Sequence, residues 1–255
     1  EDFAGYLKMW ARLTECPAAE MRRTSLDIEV FSPVATRVPD PTEAAYEVIC
    51  ASFVSSDGKR RVLLLRRPEI DVEDVGLPLG IIVEFYDSEK DMLRSIFRAL
   101  FDYPFVITFN GDDFDLRYLY HRALNLGFKE EEIPIEAGRE VCLLKNGVHI
   151  DLYKFFFNRS IQVYAFGQKY RNVSFNEVGE ALIEKTKIEI ARPLSELSYD
   201  ELATYCLNDA EITFDLTAFD EDLVMKLLLI LTRISRMPME DVSRLGVSWW
   251  IRSFM

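Results

Sequence analysis

Leu26-Asp27-Ile28-Glu29-Val30 sets two acids among three large aliphatic residues, and a chain carrying such a segment has few ways to fold it. A strand repeats every two residues, so Asp27 and Glu29 project from one face and Leu26, Ile28 and Val30 from the other. That density of Leu, Ile and Val is expected of a central strand in a sheet covered on both sides. On a covered face two neighbouring carboxylates repel each other and are desolvated, which favours a site where a cation offsets them. The alternative is an edge strand with both acids in water.

Two further segments place acids where packing alone would not. Ser198 and Glu201 form a Ser-x-x-Glu capping pattern, which predicts a helix starting near Tyr199. Leu202, Tyr205, Cys206, Asp209, Ile212, Thr213 and Leu216 then share one stripe, so Asp209 takes the place of a core aliphatic, one turn after Tyr205. Unpaired carboxylates are almost never fully buried, so an acid on such a stripe points to function. Between these segments, Phe105-Val-Ile-Thr-Phe reads as a buried strand running into the Asn110-Gly111 turn. Asp112 or Asp113 is expected to cap a helix with Leu116, Leu119, Tyr120, Ala123 and Leu124 on its inner face. Asp115 then lies in the first turn of that helix, beyond the carboxyl end of a strand, the usual place for a site in an open α/β sheet. Read alone, Asp112, Asp113 and Asp115 equally suit acids complementing a helix dipole.

Asp27-x-Glu29, Asn110-x-x-x-Phe114-Asp115 and Tyr205-x-x-x-Asp209 together resemble the three exonuclease motifs of family B DNA polymerases, within the tyrosine-bearing subclass of the DEDD exonucleases. Asp-Ile-Glu-Val-Phe-Ser-Pro, Thr-Phe-Asn-Gly-Asp-Asp-Phe-Asp, His-Ile-Asp-Leu-Tyr-Lys-Phe-Phe, Tyr-Ala-Phe-Gly-Gln-Lys-Tyr and the tail Arg-Ile-Ser-Arg-Met-Pro-Met-Glu-Asp-Val are similar to the crenarchaeal replicative members. The resemblance runs from about Leu26 to the C-terminus. It implies an α/β fold of the ribonuclease H-like type: a mixed sheet of about five strands flanked by helices, with Leu26 to Phe31 central and a C-terminal helical extension. It further implies a 3′–5′ proofreading exonuclease working by two-metal hydrolysis, with Mg²⁺ or Mn²⁺ as cofactor.

In that scheme Asp27, Glu29 and Asp209 hold the first ion, Asp27 bridges to a second, and Asp115 supports the second. Tyr205 aims the attacking water; with an ordinary pKa near 10 it is a poor base at neutral pH. Asn110 and Phe114 seat the frayed 3′ nucleotide, although Phe114 equally suits the core. Asp151 is expected to cap a helix and not to bind metal. The implied partners are a single-stranded or frayed DNA 3′ end, the palm, thumb and fingers of the polymerase, accessory subunits and a sliding clamp. No Asp-Thr-Asp or Ser-Leu-Tyr-Pro motif of a palm domain occurs, so the chain is expected to be the exonuclease portion of a longer polymerase. Its expected divisions are a lead-in at 1–24, the exonuclease unit at 25–220 and a helical segment at 221–255.

Composition agrees with a globular α/β protein: 49% of the 255 residues are hydrophobic, and no signal peptide or membrane span stands out. The four cysteines lack zinc spacing and are expected to be reduced, mostly buried thiols of a cytoplasmic protein; two histidines are too few for a histidine-rich metal site. The net charge of −13 runs against a nucleic-acid binder and predicts weak DNA affinity for this chain by itself. Strands are expected over Ala45 to Val54, Arg61 to Leu65 and Ile81 to Tyr86, and a hairpin turning at Asn146-Gly147. Another hairpin is expected at Tyr164 to Arg171, and single helices at Leu223 to Ile234 and Met239 to Phe254. Two other readings stand beside the polymerase one: a stand-alone DEDD exonuclease on DNA or RNA, and a non-catalytic exonuclease-like scaffold.

Overall fold

The computed structural model describes residues 3–32, 38–70 and 76–254, and its centre is a mixed sheet of six strands. These are β1 (Arg23–Val30), β2 (Val48–Ser55), β3 (Arg60–Leu65), β4 (Ile81–Tyr86), β5 (Phe105–Thr108) and, after a two-stranded ribbon of β6 (Ile135–Ala137) and β7 (Cys142–Leu144), β8 (Val148–Asp151). Their order is β4-β3-β2-β1-β5-β8. β1 runs antiparallel to β2 and parallel to β5, and β5 is parallel to β8. The sixth strand exceeds the expected number because the segment after Asn146-Gly147 joins the main sheet.

That turn therefore does not close a hairpin. β7 pairs with β6 while β8 pairs with β5, so the turn carries the chain from one sheet to another. Burial decides the matter, since Ile150 and His149 of β8 are fully buried beside the neighbouring strand, which a freestanding hairpin could not achieve.

The helices are α1 (Phe3–Glu15), α2 (Glu89–Ala99), α3 (Asp115–Asn125), α4 (Leu152–Phe157), α5 (Phe175–Ile183), α6 (Tyr199–Ser235), α7 (Met239–Arg244) and α8 (Val247–Phe254). Leu26, Ile28 and Val30 pack with Leu93 and Ile96 of α2 and Leu116 and Leu119 of α3. On the opposite face Cys50, Val62 and Leu64 pack with Leu202, Ala203, Cys206 and Ala210 of α6. β1 is thus central and covered on both sides, as its alternation requires. Each fully buried Leu or Ile contributes about 1.5–3 kcal/mol of transfer free energy, so a one-residue slip of this strand is excluded.

α6 opens on the expected capping box: Glu201 N donates to Ser198 Oγ, and Ser198 N donates to the Glu201 carboxylate. It is broken at Phe219–Asp222, where Asp220, Glu221 and Asp222 take φ of 48°, 55° and 64°. Arg23 holds the break against the start of β1, 2.5 Å from Asp222 Oδ1 and 2.7 Å from Thr217 Oγ1. The expected helix over 239–254 is two helices, because Leu245 adopts an extended conformation before Gly246. The expected hairpin at 164–171 is instead a π-helical turn over Ile161–Ala165, reversed at Gly167 and Gln168 (φ 58° and 60°). Phe166 and Tyr170 drive that shape by packing on Phe156, with ring centres 5.6 and 5.8 Å away.

A carboxylate cluster between the central strand and its covering helix

Asp27 and Glu29 leave β1 on the face covered by α6, and Asp209 of that helix meets them. One carboxylate oxygen from each of the three lies within 4.8 Å of the others. The register of β1 slips against β2 between Glu29 and Val30, a bulge that bends the strand where the acids emerge. Two contacts seat α6 over the strand: Ser25 Oγ donates to Ala210 O at 2.7 Å, and Cys206 Sγ lies 3.5 Å from Asp27 O. Asp209 is 0% exposed, on the apolar stripe where the helical period placed it.

Asp115 reaches the cluster by a different route. β5 pairs with β1 only along Arg23–Ser25, so the Ile28 amide beyond it lacks a strand partner. Asp115 Oδ1 accepts that N–H at 3.2 Å and completes the ladder with a side chain. It is the first residue of α3, preceded by Phe114 with no side-chain cap, so neither Asp112 nor Asp113 caps the helix. Asp113 is exposed and pairs with Lys154, and Asp112 is taken up by other buried groups. The inner face of α3 is Leu116, Tyr118, Leu119 and Ala123; Leu124 faces solvent and Tyr120 is half-buried.

The turn before α3 is fixed from beneath. Asn110 sits at φ 74°, and a Cβ on Gly111 would fall 2.2 Å from Thr108 Oγ1, so the turn needs glycine there. Asp151 accepts from Asn110 N at 2.8 Å, Asp112 N at 3.1 Å and Tyr153 N at 2.9 Å. It caps α4 as expected and holds the turn as well.

The electrostatics are those of acids crowded out of water. Burial, then the charges of Asp209, Glu29 and Asp115, raise Asp27 well above the carboxylate range. Burial pushes Glu29 up to about 8 and Asp115 to about 7, and it raises Asp209 against the pull of Lys187. Asp27 Oδ2 is buried and has no hydrogen-bond partner. Several hard oxygen ligands converging with one orphaned carboxylate oxygen suit a divalent cation such as Mg²⁺ or Mn²⁺.

Lys187, which no periodicity or motif in the sequence marked, supplies the local positive charge. Its Nζ lies 2.5 Å from Asp209 Oδ2, 4.8 Å from the Phe175 ring centre and 5.9 Å from that of Tyr205. The loop bearing it folds back on α5 through Glu184 at φ 57°, Lys185 N to Gly179 O, and Lys187 N to Asn176 Oδ1. A Cβ on Gly179 would come 2.5 Å from Lys185 O, so that fold-back needs the glycine. The neighbouring carboxylates hold the Lys187 ammonium well above its ordinary pKa, although burial opposes them.

Two cavities flank the cluster. One of about 350 Å³ is lined by Glu29, Phe114, Ile190, Arg192 and Tyr205, among others. The second, about 420 Å³, is lined by Asp27, Phe109, Asn110, Tyr153, Phe175 and Lys187, among others. The seven residues singled out in the sequence therefore gather around one locus, with Phe114 lining one cavity and Asn110 the other. Burial, then the charge of Glu29, raise the Tyr205 phenol well above its usual range, so it stays protonated at neutral pH.

A mixed sheet with acids on its central strand, met by an acid from a covering helix, defines a ribonuclease H-like exonuclease fold. The model of the family "DNA polymerase family B, exonuclease domain" matches residues 8–164, and the chain belongs to that family. It is 43% identical over 246 residues to DNA polymerase 1 of Aeropyrum pernix, covering 96% of this chain and 26% of the relative. Against DNA polymerase 1 of Saccharolobus solfataricus the identity is 42% over 245 residues, covering 96% of this chain and 28% of the relative. Against DNA polymerase 1 of Pyrococcus abyssi it is 28% over 189 residues. The chain thus spans about a quarter of the length of its crenarchaeal relatives. Among the described residues no helix is long and apolar enough to cross a membrane.

Proposed function

We propose that this chain hydrolyses the 3′-terminal phosphodiester of a single-stranded or frayed DNA end, as the proofreading portion of a family B polymerase. The observation that carries the reading is the convergence of Asp27, Glu29 and Asp209 within 4.8 Å, with Asp27 Oδ2 buried and unpartnered. Asp27, Glu29 and Asp209, with Asp115 beside Asp27, would hold two Mg²⁺ or Mn²⁺ ions. Bound there, the ions supply activation of water and neutralisation of the leaving 3′ oxygen.

The remaining steps belong to protein side chains. Tyr205 keeps its proton, so it orients the attacking water as a hydrogen-bonding group and does not serve as the base. Lys187 keeps its charge and offers an N–H donor to a phosphate oxygen beside Asp209. Phe114 and Asn110 line the two cavities and would seat the terminal nucleotide and the linkage behind it. Residues 25–220 would form the exonuclease unit, with 1–24 leading in and 221–255 leading toward the palm. The palm, thumb and fingers would supply the basic duplex grip that a chain of net charge −13 lacks, and a sliding clamp and accessory subunits would join the whole enzyme.

The test is degradation of 5′-labelled single-stranded DNA with Mg²⁺. The expected result is a ladder shortening from the 3′ end, abolished by EDTA and by Asp27→Ala or Asp209→Ala. Degradation unaffected by Asp209→Ala, or products that do not shorten from the 3′ end, would sink the proposal. Comparing DNA with RNA of the same sequence separates it from a stand-alone ribonuclease.

A further inference from the structure

α4 carries its side chains in two sets. Leu152, Phe155 and Phe156 are buried in the core, whereas Tyr153 and Phe157, four residues apart, share the outer face. Their rings are stacked, with centres 5.9 Å apart and planes inclined by 27°. Phe157 is 64% exposed, so the stacked pair opens to solvent as one aromatic face. Tyr153 is not isolated from the site: it lines the same cavity as Asp27, Asn110 and Lys187. Phe109 meets it edge-on at 6.1 Å, and Phe175 lies 4.8 Å beyond Phe109, so aromatic surface continues from the cavity wall out to Phe157. The pair is also held in register with the site, because Asp151 binds both Tyr153 N and Asn110 N.

We infer that Tyr153 and Phe157 form a stacking platform for the single-stranded DNA that precedes the 3′-terminal nucleotide. The substrate class rests on the 3′-end hydrolysis reading; the platform itself rests on the geometry of α4. Glu29, Phe114 and Tyr205 line one cavity beside the carboxylates, and Asp27, Lys187 and Tyr153 line another. With the terminal nucleoside in the first, the strand leaves through the second and meets Tyr153, then Phe157. Charge favours this mode of grip. A surface of net charge −13 gains little from phosphate contacts, whereas stacking on an aromatic face is available to every base and indifferent to that charge. Lys154 adds one cation, its Nζ 5.8 Å from the Tyr153 ring centre and paired with Asp113.

The experiment uses the 255-residue chain and its Phe157→Ala and Phe157→Trp variants. Steady-state hydrolysis of the dinucleotide pdTpdT is compared with that of an octamer of dT. In parallel, fluorescence is recorded from a (dT)8 carrying 2-aminopurine three nucleotides from its 3′ end. Phe157→Ala is expected to raise KM for the octamer about tenfold with kcat unchanged, to leave the dinucleotide unaffected, and to relieve quenching of the bound probe. Phe157→Trp should restore both. Equal effects on the two substrates, or unchanged KM and quenching in Phe157→Ala, would overturn the platform. Quenched binding by the wild-type chain without hydrolysis would instead overturn the catalytic reading and leave the platform supported.

Discussion

Lys187 Nζ stands 2.5 Å from Asp209 Oδ2, so a loop cation closes on the fully buried acid that α6 brings to the carboxylate cluster. It serves as the counter-charge that keeps three crowded acids folded when no divalent ion is present. Removing one partner of such a pair leaves an uncompensated buried charge. Lys187→Met should therefore lower the melting temperature in EDTA, and saturating Mg²⁺ should raise it by a larger increment than in the wild type. Calorimetric scans with and without Mg²⁺ check this; identical EDTA melting temperatures for the two proteins would contradict it.

The pH dependence of stability has a definite sign. Glu29 at about 8 and Asp115 at about 7 lie above their unfolded values near 4, so the fold binds their protons more tightly than the unfolded chain does. In the metal-free protein, stability is then lost as pH rises from about 4 through 8. Melting temperatures in EDTA should fall between about pH 5 and pH 8.5. Saturating Mg²⁺ should flatten that slope, since the ions compete with the same protons.

Tyr205→Phe removes the hydroxyl and keeps the ring. If the phenol aligns the attacking water, kcat for 3′-end hydrolysis falls by about 10- to 100-fold while KM and Mn²⁺ affinity stay put. A fall in Mn²⁺ affinity would assign Tyr205 to cation binding instead.

Arg244 of α7 ties the C-terminal helices to the turn that bears Asn110 and Asp112 and leads into Asp115 of α3. Its Nε and Nη2 donate to Asp112 at 2.7 and 3.0 Å, and Nη1 donates to His149 O at 3.1 Å. Arg244 and Asp112 are 7% and 0% exposed at the side chain. Burial pushes Asp112 upward, but bonds from His149 and Arg244 outweigh it and hold the acid below the carboxylate range. That stabilisation is present above the unfolded pKa near 3.9 and is lost as pH falls below it. Arg244→Met should cost on the order of 3–5 kcal/mol at neutral pH. Urea denaturation measures it, and a loss under about 1 kcal/mol would contradict the buried-pair assignment.

What was legible in the sequence was local. The alternation about Asp27 and Glu29 and the capping box before Tyr199 each operate within a few residues, and both recur in the fold as read. Asp209 was legible because its helical stripe is apolar around it. Lys187 was not, because a loop lysine acquires meaning only when α5 folds back and delivers it to another helix. Asp112 looked like a helix cap because its partner, Arg244, is 132 residues away. The turn at Asn146-Gly147 was read correctly as a turn and wrongly as a hairpin, since strand choice was settled by burial against β5.

The central claim is that Asp27, Glu29 and Asp209 form a divalent-cation centre, and calorimetric titration of the metal-free chain with Mn²⁺ tests it most directly. The expected result is saturable binding in the wild type, lost in Asp27→Asn and in Asp209→Asn while both variants stay folded by circular dichroism. No saturable binding in the wild type, or wild-type binding in both variants, would contradict the claim.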